Sequence, residues 1–190
     1  MSALILAAGE GRRFDPSGRR FKLVELLPNG RSVICATCEC YLDSVDEVVI
    51  VTGPNREAIR QAIFPYDLPL LQGVEQSEGM SGSIRCGVGA TAPATGWLIA
   101  LGDMPFVQTS TVQAVCRALK SGAMIARPFY QGRPGHPVGF SVALKDELLL
   151  VRGQDGARAL IQRHATALLA IDVSDFGCVT DIDFQSDMPS

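Results

Sequence analysis

Short apolar runs that alternate with amphipathic stretches predict an α/β chain, a three-layer α/β/α arrangement around a mostly parallel, doubly wound sheet. Two observations carry this. Glu47-Val-Val-Ile-Val-Thr52 is rich in β-branched residues and lacks the polar alternation of a half-exposed strand, the pattern of a sheet covered on both faces. Apolar runs of this kind alternate with helical stretches, and repeated strand–helix units imply right-handed crossovers with helices on both faces. The 190 residues fit a single domain spanning 1–190, with no linker, repeat or low-complexity run.

In chain order, Ala3-Leu-Ile-Leu-Ala7 reads as a buried strand, and Gly9 to Gly11 opens a loop. Residues 32–42 read as a helix, 47–52 as a strand, and Pro54 begins a helix reaching about Phe64. Leu70–Val74 is a short strand, a helix runs from Glu78 to about Gly89, and Trp97–Leu101 is a buried strand. Residues 109–120 are helical with Thr109 or Ser110 as the N-cap, and Ala123–Ala126 is a strand. Gly132–Pro137 is a loop, Lys145–Leu150 and Gly156–His164 are helical, and Ala167–Val173 and Val179–Asp183 are strands. Ser186 to Ser190 reads as a loose tail.

Composition narrows the function classes. Hydrophobic residues make up 47% and charged residues 19%, which excludes a disordered chain. A net charge of −3 provides no global field for nucleic acid or an acidic membrane. No apolar run is long enough to cross a bilayer, and the start carries no basic region of a signal peptide, so a cytoplasmic location is expected. Cys35, Cys38 and Cys40 fall on one helical stretch without a nearby fourth ligand, and read as reduced structural thiols rather than a metal cluster. His164 ends an amphipathic helix, where a cation suits the helix dipole, and reads as structural.

In such sheets ligands bind beyond the carboxyl ends of the strands, and the informative residues fall in those loops. Leu6-Ala-Ala-Gly-Glu-Gly-Arg-Arg-Phe14 follows the first strand, and its glycines let backbone N–H groups approach phosphate oxygens. Arg12, Arg13, Arg19, Arg20 and Lys22 add a local basic patch to an acidic chain, which favours a polyphosphate over an ordinary glycine turn. It is neither a Walker A loop, since Phe21 precedes Lys22, nor a dinucleotide fingerprint, since Phe14 stands where the third glycine belongs.

Asp103, in Ala100-Leu-Gly-Asp-Met-Pro-Phe106, ends a buried strand, where a carboxylate can hold Mg²⁺ against a phosphate or simply cap the turn. Asp181 and Asp183 share one face of an extended segment and are candidates for the second acid. Gln76-Ser-Glu-Gly-Met-Ser-Gly-Ser-Ile84 offers small hydroxyl residues that would cap a helix or donate to a ligand. Gln131-Gly-Arg-Pro-Gly-His-Pro-Val-Gly139 is too rich in glycine and proline for a regular element. Its His136 is a candidate proton shuttle, acceptor contact or internal hydrogen-bond partner. Arg133 and Arg158 are candidate partners for an anionic acceptor, with surface charge as the plain alternative.

In this order the motifs resemble the nucleotidyltransferases that share a glycine-rich amino-terminal loop and a Gly-Asp-Met-Pro turn. Most closely the chain resembles the molybdenum cofactor cytidylyltransferases, from Leu6 to Asp183. The resemblance implies a Rossmann-like nucleotidyltransferase fold and nucleotide contacts from Leu6, Ala7, Ala8, Gly9, Gly11, Arg13, Lys22, Gly79, Ser81, Ser83 and Asp103. It implies Arg13 and Lys22 on the triphosphate, Mg²⁺ on Asp103 and Asp183, and an acceptor side formed by Arg133, Gly135, His136 and Arg158. Ala8, in Leu-Ala-Ala-Gly rather than Leu-Ala-Gly-Gly, points to CTP rather than GTP. The implied reaction transfers CMP from CTP to the phosphate of molybdopterin, with a molybdoenzyme as the eventual recipient. Sequence differences remain: Phe14 to Phe21 lengthen the path to Lys22, Gly82 replaces a serine, and Gln154 replaces an aspartate. Two rivals stay open, a sugar- or polyol-phosphate nucleotidyltransferase and a non-catalytic pterin-cofactor chaperone.

Overall fold

The computed structural model describes residues 1–9, 11–73, 78–91 and 93–189. Glu10 of the glycine loop, Val74 of the expected short strand, and Gln76 and Ser77 of the hydroxyl-rich loop lie outside the described residues. Eight strands form one sheet: β1 Ser2–Ala7, β2 Glu47–Thr52, β3 Leu70–Gln72, β4 Gly96–Leu101, β5 Ile125–Tyr130, β6 Arg133–Pro134, β7 Val138–Ser141 and β8 Leu168–Asp172. The helices are α1 Val33–Leu42, α2 Arg56–Ala62, α3 Gly79–Ala90, α4 Thr109–Lys120, α5 Lys145–Leu149 and α6 Arg158–Arg163.

The order β3-β2-β1-β4-β7-β5-β6, with β8 on β5, makes a mixed sheet. β3, β2, β1 and β4 are mutually parallel. β7 runs antiparallel to both β4 and β5, so β5 again runs with β4, and β8 is parallel to β5. The carboxyl ends of β1 to β5 and β8 therefore all meet one edge of the sheet. Beyond the point where β5 pairs with β7, Phe129 and Tyr130 pair with Pro134 and Arg133 in a hairpin that projects past this edge.

Alternate residues of the central strands pack to opposite faces, as the β-branched runs predict. Ala3, Ile5, Val48, Ile50, Leu98 and Ala100 join Val33, Ile34, Ile59, Val112 and Val115 of α1, α2 and α4. Leu4, Val49, Trp97 and Ile99 join Ile84, Val88, Leu148 and Leu160 of α3, α5 and α6. That is the expected three-layer arrangement. Ser32 caps α1 by accepting from the Cys35 amide at 3.1 Å.

Local departures have local causes. β7 was not expected, because Pro137 and Gly139 read as loop residues. Gly139 is required there by close packing, since a Cβ would lie 2.6 Å from Val115 Cγ1 of α4. Neither Thr109 nor Ser110 caps α4, whose N-cap is Gln108; its first turn is instead held by Asp175 from across the sequence. Residues Val179–Asp183 do not form a strand. A 3₁₀ turn, Phe176–Val179, leads into them, and the Ile182 amide donates to the Asp103 carbonyl at 2.9 Å. The tail is tied down as well: Asp187 accepts from the Asp183 and Phe184 amides at 2.9 and 2.7 Å. No helix is long and apolar enough to cross a membrane, among the described residues.

Candidate functional site

Leu6 and Ala7 end β1, and with Ala8, Gly9, Gly11, Arg12 and Arg13 they wall one side of a cleft of about 840 Å³ at the carboxyl edge of the sheet, a size that suits a nucleotide. The residues that lengthen the path to Lys22 are folded away by one side chain. Asp15 accepts from the Ser17 hydroxyl at 2.7 Å and from the amides of Ser17, Arg19 and Arg20 at 2.8–2.9 Å. The Ser17 hydroxyl, followed by these amides, holds its carboxyl below the ordinary value. Arg20 is turned from the cleft, paired with Glu25, bonded to Gln185 and set over the Phe14 ring. Lys22, at the start of the 3₁₀ turn Lys22–Val24, therefore still reaches the cleft.

The acids meet there. One oxygen of each of Asp103, Asp181 and Asp183 lies within 4.8 Å of the others. Lys22 Nζ is 2.5 Å from Asp103 Oδ2 and 3.2 Å from Asp183 Oδ1, and an Arg13 guanidinium nitrogen is 2.6 Å from Asp183 Oδ2. Asp103 Oδ1 is sealed from solvent and has no hydrogen-bond partner among the described residues. Desolvation, then the charges of Asp183 and Asp103, push the Asp181 carboxyl above its ordinary value. Crowded carboxylates with one unsatisfied buried oxygen fit a hard divalent cation such as Mg²⁺, which is ligated by oxygen. Asp181 joins the expected pair as a third acid. The same cluster is the only such group of potential metal ligands among the described residues, so Cys35, Cys38 and Cys40 form none. All six cysteines are free, and burial pushes the thiols upward, Cys40 to about 11.

Gly79 and Ser83 line the opposite wall, whereas Ser81 is buried and donates to the Gly156 carbonyl at 3.2 Å. Gly79 has φ +56, and a Cβ there would collide with Gln154, which also lines the cleft. Gln154 of the 153–156 segment thus helps close this side of the cleft. Arg158, the exposed first residue of α6, does not line the cleft. Gln72, Gly73, Gly53 and Pro54 complete this wall. They were not singled out in the sequence, though their place at or just after the ends of β2 and β3 is where the carboxyl-end rule looks.

On the other side of Asp103, Gly135 is buried against Cys178 and donates to the Pro128 carbonyl at 2.8 Å. The His136 amide donates to the Cys178 carbonyl at 2.8 Å. The His136 imidazole is half-buried with its Nδ1 sealed and unpartnered. Burial first, then the Arg127 charge, lower its pKa to about 4, against a backbone hydrogen bond at Ile99 and the charge of Asp103. Arg133 is exposed on the hairpin and reaches the Val179 carbonyl at 3.5 Å. Beside it, Tyr130 and the exposed Phe176 stand edge to face with ring centroids 5.5 Å apart. None of Arg133, Gly135 and His136 lines the cleft. His164 bonds Glu147 at 2.9 Å, away from both.

A glycine loop facing an acidic triad at the carboxyl edge of an α/β sheet defines a nucleotidyltransferase type of domain. The chain belongs to the family of MobA-like NTP transferase domains, whose profile matches residues 3–167. It is 29% identical over 194 residues to nicotine blue oxidoreductase of Paenarthrobacter nicotinovorans, covering 96% of this chain and 92% of that protein. A nucleotidyl transferase from Methanothermobacter thermautotroptrophicus superposes with a TM-score of 0.83 at 25% identity, covering 98% of this chain and 93% of that one. Rv0371C from Mycobacterium tuberculosis H37Rv, solved as a complex with manganese, gives 0.72 at 26% identity over 90% and 88% of the two chains.

Proposed function

We propose that this chain transfers CMP from CTP to the terminal phosphate of molybdopterin, releasing pyrophosphate. The observation that carries the reading is the acidic triad, with its orphaned Asp103 oxygen, in one cleft with the glycine loop. The acceptor phosphate is anionic near neutral pH and attacks the α-phosphorus without a strong base, so the barrier is largely alignment and charge. The loop amides at Gly9 and Gly11, with Arg13 and Lys22, face the β- and γ-phosphates and stabilise the departing pyrophosphate. A divalent ion such as Mg²⁺ on Asp103 and Asp183 would supply charge neutralisation between donor and acceptor phosphates. Ala8 in the Leu-Ala-Ala-Gly loop supports CTP over GTP.

Arg133 and the Tyr130–Phe176 pair support a flat, phosphorylated heteroaromatic acceptor, one ring to stack and one cation for the phosphate. His136 and Gly135 fix the hairpin that carries them, and Arg158 is left as surface charge on the nucleotide side. Pyrophosphate release with Mg²⁺ and molybdopterin is the test, comparing CTP, GTP and ATP. Release is expected with CTP, and Asp103→Ala should lower turnover by about 10²–10³ with unchanged circular dichroism. Normal turnover in that variant removes the metal assignment.

The relative named for an oxidoreductase activity favours a second reading. In it the same cleft holds a nucleotide hydride donor and the aromatic bank holds a flat substrate to be reduced. Oxidation of NADH or NADPH by a flat heteroaromatic acceptor, with no pyrophosphate release from any nucleotide, would select it.

A further inference from the structure

Lys22 is a buried cation, 8% exposed, seated among the oxygens that a metal needs. It holds Asp103 Oδ2 and Asp183 Oδ1, while Arg13 holds Asp183 Oδ2. Among the described residues, only Asp103 Oδ1 in this pair has no partner, and it is closed to solvent. A magnesium-sized ion sits about 2.0–2.1 Å from its oxygens. An ammonium held by those same oxygens would face it at a few ångströms, and two like charges at that distance in a poorly solvated site repel strongly. Lys22 therefore competes with a metal for Asp103 and Asp183. The lysine has somewhere else to go. Its Cγ and Cδ lie 3.4 and 3.7 Å from where a Cβ of Gly11 would be, so the stem rests against the glycine loop, and rotation about its last bonds would swing Nζ. That swing carries Nζ from the carboxylates toward the loop wall of the cleft.

We infer that Lys22 is the resident counter-ion of the metal site: it neutralises Asp103 and Asp183 in the nucleotide-free protein and exchanges onto the polyphosphate when nucleotide and metal arrive. The first half stands on the ion pairs alone; the exchange onto polyphosphate rests on the nucleotidyltransferase reading. Metal alone then binds weakly, because it must evict a cation that has no other anion to meet. Nucleotide supplies that anion, and the two ligands favour each other through a single side chain. An acidic cluster that would otherwise repel itself stays paired while the cleft is empty.

The test is Mn²⁺ binding to nucleotide-free protein, read from the electron paramagnetic resonance signal of the free ion. Lys22→Met, which keeps the stem and removes the charge, should bind Mn²⁺ about tenfold more tightly than the wild type, within the span of a typical coupling. Lys22→Arg should stay near the wild type, and adding Asp103→Asn to Lys22→Met should abolish the gain. Equal affinity in wild type and Lys22→Met overturns the inference. The wild-type chain provides a second readout that needs no variant to fold. Amine-reactive labelling of Lys22, located by mass spectrometry, should be slow in free protein, faster at saturating Mn²⁺, and slow again with CTP added. Labelling indifferent to Mn²⁺ overturns it equally. If Mn²⁺ exposes Lys22 but neither CTP, GTP nor ATP protects it, the counter-ion role stands and the nucleotidyltransferase reading fails.

Discussion

His136 shows how much one enclosed side chain ties the site to the fold. Its Nδ1 is sealed and unpartnered, and burial together with the Arg127 charge keeps the ring neutral, with a pKa lowered to about 4. The unfolded chain protonates the same ring near 6.5, so it binds more protons than the folded chain between those values. Stability from this group is therefore complete above about pH 6.5 and falls as pH drops toward 4, by about 3 kcal/mol at most. Melting temperatures of wild type and His136→Gln across that window should converge as the pH falls; parallel curves would clear His136 of the effect. The same scale shows where sequence is readable. The glycine loop and the acids Asp103, Asp181 and Asp183 stand out as candidates through backbone approach and charge clustering, and they line one cleft, whereas the choice of Asp183 and the part given to Lys22 came from the family resemblance. The knot that Asp15 ties was not legible, because Asp-Pro-Ser-Gly reads as any polar loop and only the fold shows its carboxylate collecting three amides. Nor does spacing show that Lys22 would rest on the acids.

Among elements, those with a strong period were legible, and those held by distant partners were not. β1, β2 and β4 announce themselves as apolar runs, and α1 carries its own cap in Ser32. α4 is amphipathic enough to be found, yet its start is secured by a residue far along the chain. Asp175 is buried and accepts from the Gln108 amide at 2.9 Å, the Thr111 hydroxyl at 2.7 Å and the Gly177 amide at 2.9 Å. It thus fastens the 3₁₀ turn Phe176–Val179, which leads to Asp181 and Asp183, onto the helix that follows Asp103. No local pattern reports a cap supplied from so far away. Asp175→Ala should cost about 2 kcal/mol, a fall of roughly 4–8 °C in Tm, with Asp175→Asn intermediate because it keeps an acceptor oxygen. An unchanged Tm in the alanine variant would show that the three donors are satisfied without it.

Across the molecule the sheet is two pieces with different jobs. The parallel piece, β3-β2-β1-β4, was legible as repeated strand–helix units, and its carboxyl ends line the cleft. The antiparallel piece, β7, β5 and β6, was read as one strand and a loop, since short strands carrying glycine and proline have neither periodicity nor length to declare themselves. That piece carries Arg133 and Tyr130 on a hairpin outside the cleft lining, with Phe176 of the 3₁₀ turn against Tyr130. If donor and acceptor are held by separate pieces, damage to one should leave the other's binding intact. Arg133→Ala and Tyr130→Ala should each raise KM for the acceptor by about tenfold, the loss of a charge-assisted bond or a stacked ring of roughly 1.4 kcal/mol, with CTP affinity unchanged. Gly79→Ala should do the reverse, weakening CTP binding by forcing Gln154 from its place while sparing the acceptor. Isothermal titration with CTP and steady-state kinetics in acceptor separate the two, and a hairpin variant that lost CTP affinity as well would show that the two banks form one site.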